Sequence, residues 1–335
     1  MINIGIIGLG FMGSMHLKNY LKNDKSRVVA VCDLNESRAS GEKKISGNID
    51  IDSDEKIDFS RFKQYRDISD IVSDKDIDVI DICLPTNITA DTAIKAMEAG
   101  KNVLCEKPMA LTLEEGSRMI KTAREKKVIL MIAHCIRFWP EYIYLTQVIK
   151  NKDLGKLNSL FLSRLVSHSS YSYENWLLDE KKSKGAILNL HIHDVDYLVS
   201  LFGKPKNLMA QGFYEKDKGC SHVVAQFNYD QVPVVTAVGG WMMPATFEFK
   251  MGYTAIFEEG TLIYDSSANP TLIKLTDEEE LTIEGLPSGD GYSREIDYFL
   301  ECILKGNKPG LCTPESNLES LEVVYEEINS ILKLK

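Results

Sequence analysis

No Cys-x-x-Cys pair, no Walker-type phosphate loop, no Gly-x-Ser-x-Gly elbow and no zinc-ligand spacing occurs in the sequence. Their absence sets aside thioredoxin-like redox chemistry, P-loop nucleotide hydrolysis, serine-hydrolase chemistry and a structural zinc site. Cysteine is present but odd in number. Cys32, Cys83, Cys105, Cys135, Cys220, Cys302 and Cys312 fall mostly in apolar runs, which argues against a disulfide framework and for a reducing compartment. Positive charge is in deficit, with 39 Lys and Arg against 49 Asp and Glu and a net charge of −10. A general attraction to nucleic acid or to anionic membranes is therefore not expected. No apolar run reaches membrane-spanning length. The opening Met1-Ile2-Asn3-Ile4-Gly5-Ile6-Ile7-Gly8 has no basic region and no small-residue cleavage site, so it reads as a buried strand and not as a signal peptide. The expected location is the cytoplasm.

What is present is an ordinary globular composition, 44% hydrophobic and 26% charged, over 335 residues, enough for two domains. The first third alternates apolar runs with helical patterns. Ile2–Ile7, Arg27–Cys32, Val79–Leu84, Asn102–Cys105 and Val128–Ala133 read as strands, with helices at Phe11–Leu21 and Thr89–Ala99, the second closed by Gly100. Strands that are apolar throughout and alternate with helices predict a doubly wound parallel sheet covered on both faces. Gly41–Ser60 breaks the rhythm and reads as an exposed, polar loop insertion.

Beyond about residue 134 the pattern changes. A helix at Glu141–Lys150, a strand at Leu157–Val166 and a helix at Ala186–Phe202 precede a run of strands: Asn207–Tyr214, His222–Asn228, Val232–Gly239, Thr246–Tyr253, Ala255–Phe257 with Thr261–Tyr264, and Leu272–Leu275. Short turns between strands predict a largely antiparallel, open sheet. Helices at Ser293–Lys305 and Pro314–Lys335 end the chain. The expected architecture is an α/β Rossmann domain over 1–133 followed by an α+β substrate and oligomerisation domain over 134–335, with the last helix able to return to the first domain.

Gly8-Leu9-Gly10-Phe11-Met12-Gly13 is Gly-x-Gly-x-x-Gly. Alone the motif is weak; directly after a strand and before a helix it predicts a dinucleotide cradle. Gly8 makes the tight turn, Gly10 admits the pyrophosphate, Gly13 allows close helix packing, and the helix N-terminus, with Phe11 and Met12, faces the phosphates. The competing reading is a glycine-rich turn without a ligand. Asp33 ends the second strand 20 residues beyond Gly13, where an acid accepts from ribose hydroxyls and repels a 2′-phosphate. Leu34 beside it carries no charge. NAD is expected ahead of NADP; Arg38, one turn on, is either a partner for a 2′-phosphate or a solvated helix residue. Leu84, Thr86 and Asn87 follow a strand at the cofactor edge, and Thr89 reads as a helix cap.

Glu106 and Lys107 stand just past a buried strand, before Pro108. Ligands of open α/β sheets bind outside the carboxyl ends of strands, where a lysine can stabilise developing negative charge on oxygen. An ordinary charged strand end is the alternative. Asn189, His193 and Asp196 recur at i, i+4 and i+7 of a helical stretch and form one polar stripe, in which a histidine can serve as general base. The alternatives are buried structural histidines and a metal site using His191, His193, Asp194 and Asp196. On a helix the two histidines point some 200° apart, which disfavours a shared ion, and no metal is expected. Arg137 lies at the domain junction, near cofactor or substrate or else in a salt bridge, with His134 a weaker candidate nearby. Trp176, Tyr171 and His168 lie in an aromatic loop able to cover substrate or simply to pack.

The glycine loop, the strand ending Cys83-Leu84-Pro85-Thr86-Asn87, the helix ending Ala99-Gly100-Lys101 and above all Val103-Leu104-Cys105-Glu106-Lys107-Pro108 resemble the Gfo/Idh/MocA family over nearly the whole chain. That resemblance implies an NAD(P)-dependent dehydrogenase acting on CH–OH, with a sugar, inositol or related polyol as substrate. It implies Lys107 orienting the substrate oxygen and His193 moving its proton. Asn189 stands where the family carries aspartate, so it would hold His193 or a substrate hydroxyl without supplying charge. Arg137 would lie by cofactor or substrate. The resemblance also implies a homodimer or homotetramer built on the open sheet, whose outer face would otherwise leave apolar surface in water. A cofactor-binding sensor without turnover and an NAD-assisted lyase or glycosidase are the rival readings.

Overall fold

The computed structural model describes residues 1–40, 57–167 and 172–334. The chain divides into two compact units. Unit 1 comprises Met1–Cys135 with Tyr292–Leu318, and unit 2 comprises Ile136–Gly291 with Glu319–Lys335.

In unit 1 the elements run β1 (Ile2–Ile7), α1 (Phe11–Lys22), β2 (Ser26–Cys32), α2 (Glu36–Ala39), β3 (Lys63–Tyr65), α3 (Ile68–Ser73), β4 (Val79–Ile82), α4 (Thr86–Glu98), β5 (Asn102–Glu106), α5 (Leu113–Lys126) and β6 (Leu130–Ala133). The strands form one parallel sheet in the order β3-β2-β1-β4-β5-β6. Chain direction across the sheet reverses between β1 and β4, the switch point where such sheets bind ligands. The apolar runs are buried on both faces, as a doubly covered sheet requires. Ile4, Ile6, Val31, Val79, Ile80, Ile82, Val103 and Leu104 are all fully inaccessible. Each contributes about 1.5–3 kcal/mol relative to exposure. Helix α5 carries a capping box, Thr112 accepting the Glu115 N–H and Glu115 accepting the Thr112 N–H.

Two expectations are corrected here. Helix α4 starts at Thr86, not Thr89. Pro85 precedes it, and Thr89 lies inside the helix with its hydroxyl donating back to the Pro85 carbonyl at 3.2 Å, so it caps nothing. Strand β3 lies in the polar Lys63-Gln64-Tyr65, which carries no apolar run and gave no signal. Gly100, with φ +80, ends α4 in the left-handed conformation expected of it. Of the expected insertion at 41–60, residues 41–56 lie outside the described residues.

Unit 2 contains α6 (Pro140–Asn151), β7 (Leu157–Ser167), α7 (Glu180–Ser183), a π-helical turn (Ile187–His191) running into α8 (Ile192–Phe202), then β8 (Asn207–Glu215), β9 (Gly219–Asn228), β10 (Val234–Met243), β11 (Lys250–Phe257), β12 (Thr261–Asp265), β13 (Leu272–Leu275) and β14 (Glu280–Thr282). Helix α9 (Gly291–Lys305), which belongs to unit 1 from Tyr292 on, and helix α10 (Pro314–Lys333), which belongs to unit 2 from Glu319 on, follow in the chain. The eight strands order as β14-β13-β12-β11-β7-β10-β9-β8, antiparallel except for β7 with β10. The two apolar segments expected on either side of Thr254 are one strand, β11. Thr254 pairs with Phe161 of β7 and Ile263 of β12, so the ladder continues through it. One face of this sheet is covered, burying Leu160, Leu162, Val235, Ala237, Ala225 and Ala255. The other presents Phe161, Met209, Phe213, Val224, Val234 and Ile256, each more than a third exposed.

Candidate active site

In unit 1 the expected cofactor residues collect at the carboxyl ends of β1, β2, β4 and β5. The glycine turn is held from both sides, the Gly8 N–H donating to the Cys32 carbonyl and the Cys83 N–H to the Ile7 carbonyl, each at 2.8 Å. Gly8 has φ +90, and a Cβ there would lie 2.4 Å from the Cys83 carbonyl oxygen, with Leu84 also against it. A Cβ on Gly13 would lie 1.8 Å from the Gly8 carbonyl oxygen. Gly10 differs, because a Cβ there would meet nothing within 4 Å. Packing accounts for the first and last glycines; open space above Gly10 is what a pyrophosphate cradle requires. Gly10 is also the N-cap of α1 and offers no side-chain cap to its first turn, which suits an anion at that helix end. The residues therefore fit a dinucleotide.

The contrast makes a paired prediction. Gly10→Ala should keep the wild-type Tm and lose NADH binding, followed by nicotinamide fluorescence. Gly13→Ala should lower stability by about 1–3 kcal/mol, as overpacking does. Equal losses of stability in both variants would remove the argument for a cradle.

Asp33 is nearly buried. Its Oδ2 accepts the Leu9 N–H at 2.8 Å and its Oδ1 the Asn35 N–H at 2.7 Å. The carboxylate thus ties the glycine turn to the end of β2 and is held in place. Leu34 is 81% exposed, and Arg38 lies in α2. Thr86 and Asn87, expected in a strand-end loop, form the first turn of α4, with Thr86 buried and Asn87 exposed. Glu106 is buried at the end of β5, and its Oε2 accepts the Lys107 N–H at 3.1 Å. Lys107 is half-buried, and the Lys107–Pro108 bond is cis.

In unit 2, Asn189 and His193 are both half-buried. The π turn Ile187–His191 offsets Asn189 from His193 and Asp196, which stay one turn apart on α8. Asp196 is fully buried, where Arg137 meets it. The Arg137 Nε and Nη2 donate to the two Asp196 carboxylate oxygens at 2.7 Å each, and the Ser320 hydroxyl donates at 2.9 Å. The salt-bridge alternative for Arg137 is therefore present. A second bidentate pair joins Arg164 to Asp194 at 3.0 and 2.9 Å, and His191 Nε2 lies 2.9 Å from a Glu327 carboxylate oxygen. Removing one partner from a buried pair costs about 3–5 kcal/mol. These three pairs fix the helix on both sides of His193. They also engage His191, Asp194 and Asp196, three of the four side chains of the alternative metal reading. Trp176 packs against the Val166, Leu177, Ala186 and Trp241 cluster; Tyr171 and His168 lie outside the described residues. His134, in unit 1, is buried.

Sequence reasoning missed one group in unit 1 that centres on His16 and Asp81. A signal was there: Asp81 is the one charge inside Val79-Ile80-Asp81-Ile82, a strand buried at every position, and a buried carboxylate demands a partner. Arg164, buried in the middle of β7, gave the same kind of signal.

The comparisons agree with this geometry. Residues 2–134 match the model of the oxidoreductase family with an NAD-binding Rossmann fold, and residues 142–263 match the GFO/IDH/MocA C-terminal domain. Myo-inositol 2-dehydrogenase of Thermotoga maritima is 26% identical over 310 residues, 90% of this chain and 83% of that protein. 2,7-Anhydro-N-acetylneuraminate hydratase of Mediterraneibacter gnavus is 26% identical over 202 residues, covering 60% of this chain and 50% of that protein. Several other curated relatives are matched over about half their length. UDP-N-acetylglucosamine 3-dehydrogenase of Acidithiobacillus ferrooxidans superposes with TM-score 0.79 at 22% identity, covering 100% of this chain and 99% of that one, a likeness of fold. No helix among the described residues is long and apolar enough to cross a membrane. With both domain models matched in order, a Rossmann unit and an eight-stranded second unit, the chain belongs to the Gfo/Idh/MocA family of NAD-binding oxidoreductases.

Proposed function

We propose that the protein is an NAD-dependent dehydrogenase acting on a hydroxyl-bearing carbon of a sugar, inositol or related polyol. The observation that carries this reading is the open space above Gly10 at the uncapped N-terminus of α1, in a sheet where β5, two places from β1, ends next to Lys107. Nicotinamide held by this unit supplies the hydride acceptor or donor. Asp33 favours NAD over NADP, because its carboxylate faces a 2′-phosphate with like charge and Leu34 offers no compensating one. Lys107 orients and polarises the substrate oxygen. His193 takes the hydroxyl proton as the carbinol C–H leaves as hydride and the C=O bond forms. Asn189 holds His193 or a substrate hydroxyl, and Arg137 supports this region through Asp196. Turnover with NAD and with NADP against sugars, inositols and sugar acids tests the reading. Reduction of NAD with at least one polyol supports it, and tight NADH binding without any turnover favours a sensor.

A second reading has one observation behind it, the hydratase among the relatives. There, transient oxidation would activate an elimination or a hydration, and product would form without net reduced nicotinamide.

The outer face of the second sheet supports a homodimer or homotetramer. Phe161, Met209, Phe213, Val224, Val234 and Ile256 are the kind of contiguous apolar surface that a monomer rarely leaves in water. Val224→Glu together with Phe161→Glu should convert the assembly to monomers in light scattering without changing the fold. A monomeric wild type would contradict the proposal. Seven free thiols fit a cytoplasmic location.

A further inference from the structure

Behind Lys107 lies a buried cluster to which the proposed reaction assigns no role. His16 sits on α1, three residues beyond Gly13, and is fully inaccessible. Its Nδ1 is 2.8 Å from Asp81 Oδ2 on β4, and its Nε2 is 3.1 Å from Glu106 Oε1 on β5. Carboxylates that are ionised only accept. A ring that serves two such acceptors donates from both nitrogens, as an imidazolium. The other oxygen of Glu106 accepts the Lys107 N–H. One imidazole thus connects the helix that begins at the glycine turn to the backbone that presents Lys107.

We propose that His16 is a positioning residue for the reaction, bridging Asp81 and Glu106 so that helix α1 and the strand end carrying Lys107 hold one fixed geometry. The inference rests on the reading of Lys107 given above. Catalytic groups displaced by even an ångström lose much of their effect, and a strand end is where the backbone is least constrained by its ladder.

The surroundings support the protonated ring. Burial alone would lower the pKa of His16, but the Asp81 carboxylate outweighs it and leaves the value well above the ordinary 6.5. The groups facing the ring come from every side. Tyr20 on α1 has its phenol pKa raised by burial and then by Asp81. Cys83 Sγ donates to Asp81 Oδ1 at 3.5 Å. Glu295 on α9 brings a carboxylate oxygen within 4.8 Å of the ligating atoms of His16 and Glu106. Because the folded pKa lies above 6.5, the stabilisation from His16 is complete below pH 6.5 and is lost as pH rises through the folded value.

The test combines a spectrum with kinetics. In uniformly 13C,15N-labelled protein, the His16 ring, assigned through its connectivity to its own backbone, should show two imidazolium N–H signals at pH 7. A neutral tautomer at pH 7 overturns the proposal, and the wild-type spectrum shows this whether or not a variant folds. His16→Gln and Glu106→Gln should each lower kcat by about 10–100-fold, as the loss of a supporting partner does, with NADH affinity unchanged in His16→Gln. The double variant should lose no more than the worse single one. Wild-type kcat in His16→Gln, when Lys107→Ala is impaired, refutes the role of His16 alone. Wild-type kcat in Lys107→Ala refutes the reading of Lys107 and leaves the ring signals to be judged separately.

Discussion

Lys107→Ala is expected to lower kcat/KM by about 10²–10³-fold, the usual loss when one preorganised donor to a developing oxyanion is removed. Three features of unit 1 lead to this figure. Lys107 follows a strand buried at four of its five positions, so its backbone is rigid up to Glu106. The Glu106 carboxylate accepts the Lys107 N–H, which fixes the residue that carries the ammonium. The side chain is half-buried where ligands of parallel sheets bind, so its charge acts in a lower dielectric than bulk water. NADH affinity should change far less than kcat, since the glycine turn and Asp33 remain. Lys107→Arg should recover little, because a planar guanidinium cannot place a point charge where an ammonium did. Steady-state kinetics and a fluorescence titration of NADH check both parts. Wild-type turnover in Lys107→Ala would show that the strand end is an ordinary charged terminus.

The second large effect is expected at His193. Its replacement by alanine should cost about 10²–10⁴-fold in kcat, the range for loss of a positioned general base. The kcat/KM–pH profile should lose the limb that reports this base, while the Tm stays near wild type. The retained stability follows from the neighbours. Asp194 is held by Arg164, Asp196 by Arg137 and Ser320, and His191 by Glu327; none of these pairs uses His193. A variant with a normal pH profile and normal kcat would return His193 to a structural role.

The parts of the molecule that were legible in the sequence share one physical property: a local pattern sufficed. Ile2–Ile7 is apolar throughout because both faces of its sheet are covered, and it appears as that strand with the expected bounds. The Gly8–Gly13 turn and Asp33 are specified by backbone geometry within one strand–helix–strand unit. What depended on distant partners was not legible. Asp196 was placed on a polar stripe with Asn189 and His193 by counting at the ordinary helical period. A π turn offsets Asn189 from that stripe, and Arg137, 59 residues earlier in the chain, meets Asp196 in the interior. The expected break in β11 came from reading its sequence alone, whereas its pairing with β7 and β12 is what continues it. The missed strand β3 is polar because it lies at the sheet edge. Asp81 and Arg164 stood out as charges inside apolar runs, yet a single sequence does not say which side chain answers a buried charge.

The most direct test is to incubate the protein with NAD and a panel of polyols that includes myo-inositol, and to measure reduced nicotinamide and carbonyl product together. Hydride transfer predicts that the two appear in equal amounts for at least one substrate, and that both form more slowly, by the same factor, in Lys107→Ala. Full occupancy by NAD with neither species formed from any compound, or product accumulating with no reduced nicotinamide, would contradict it.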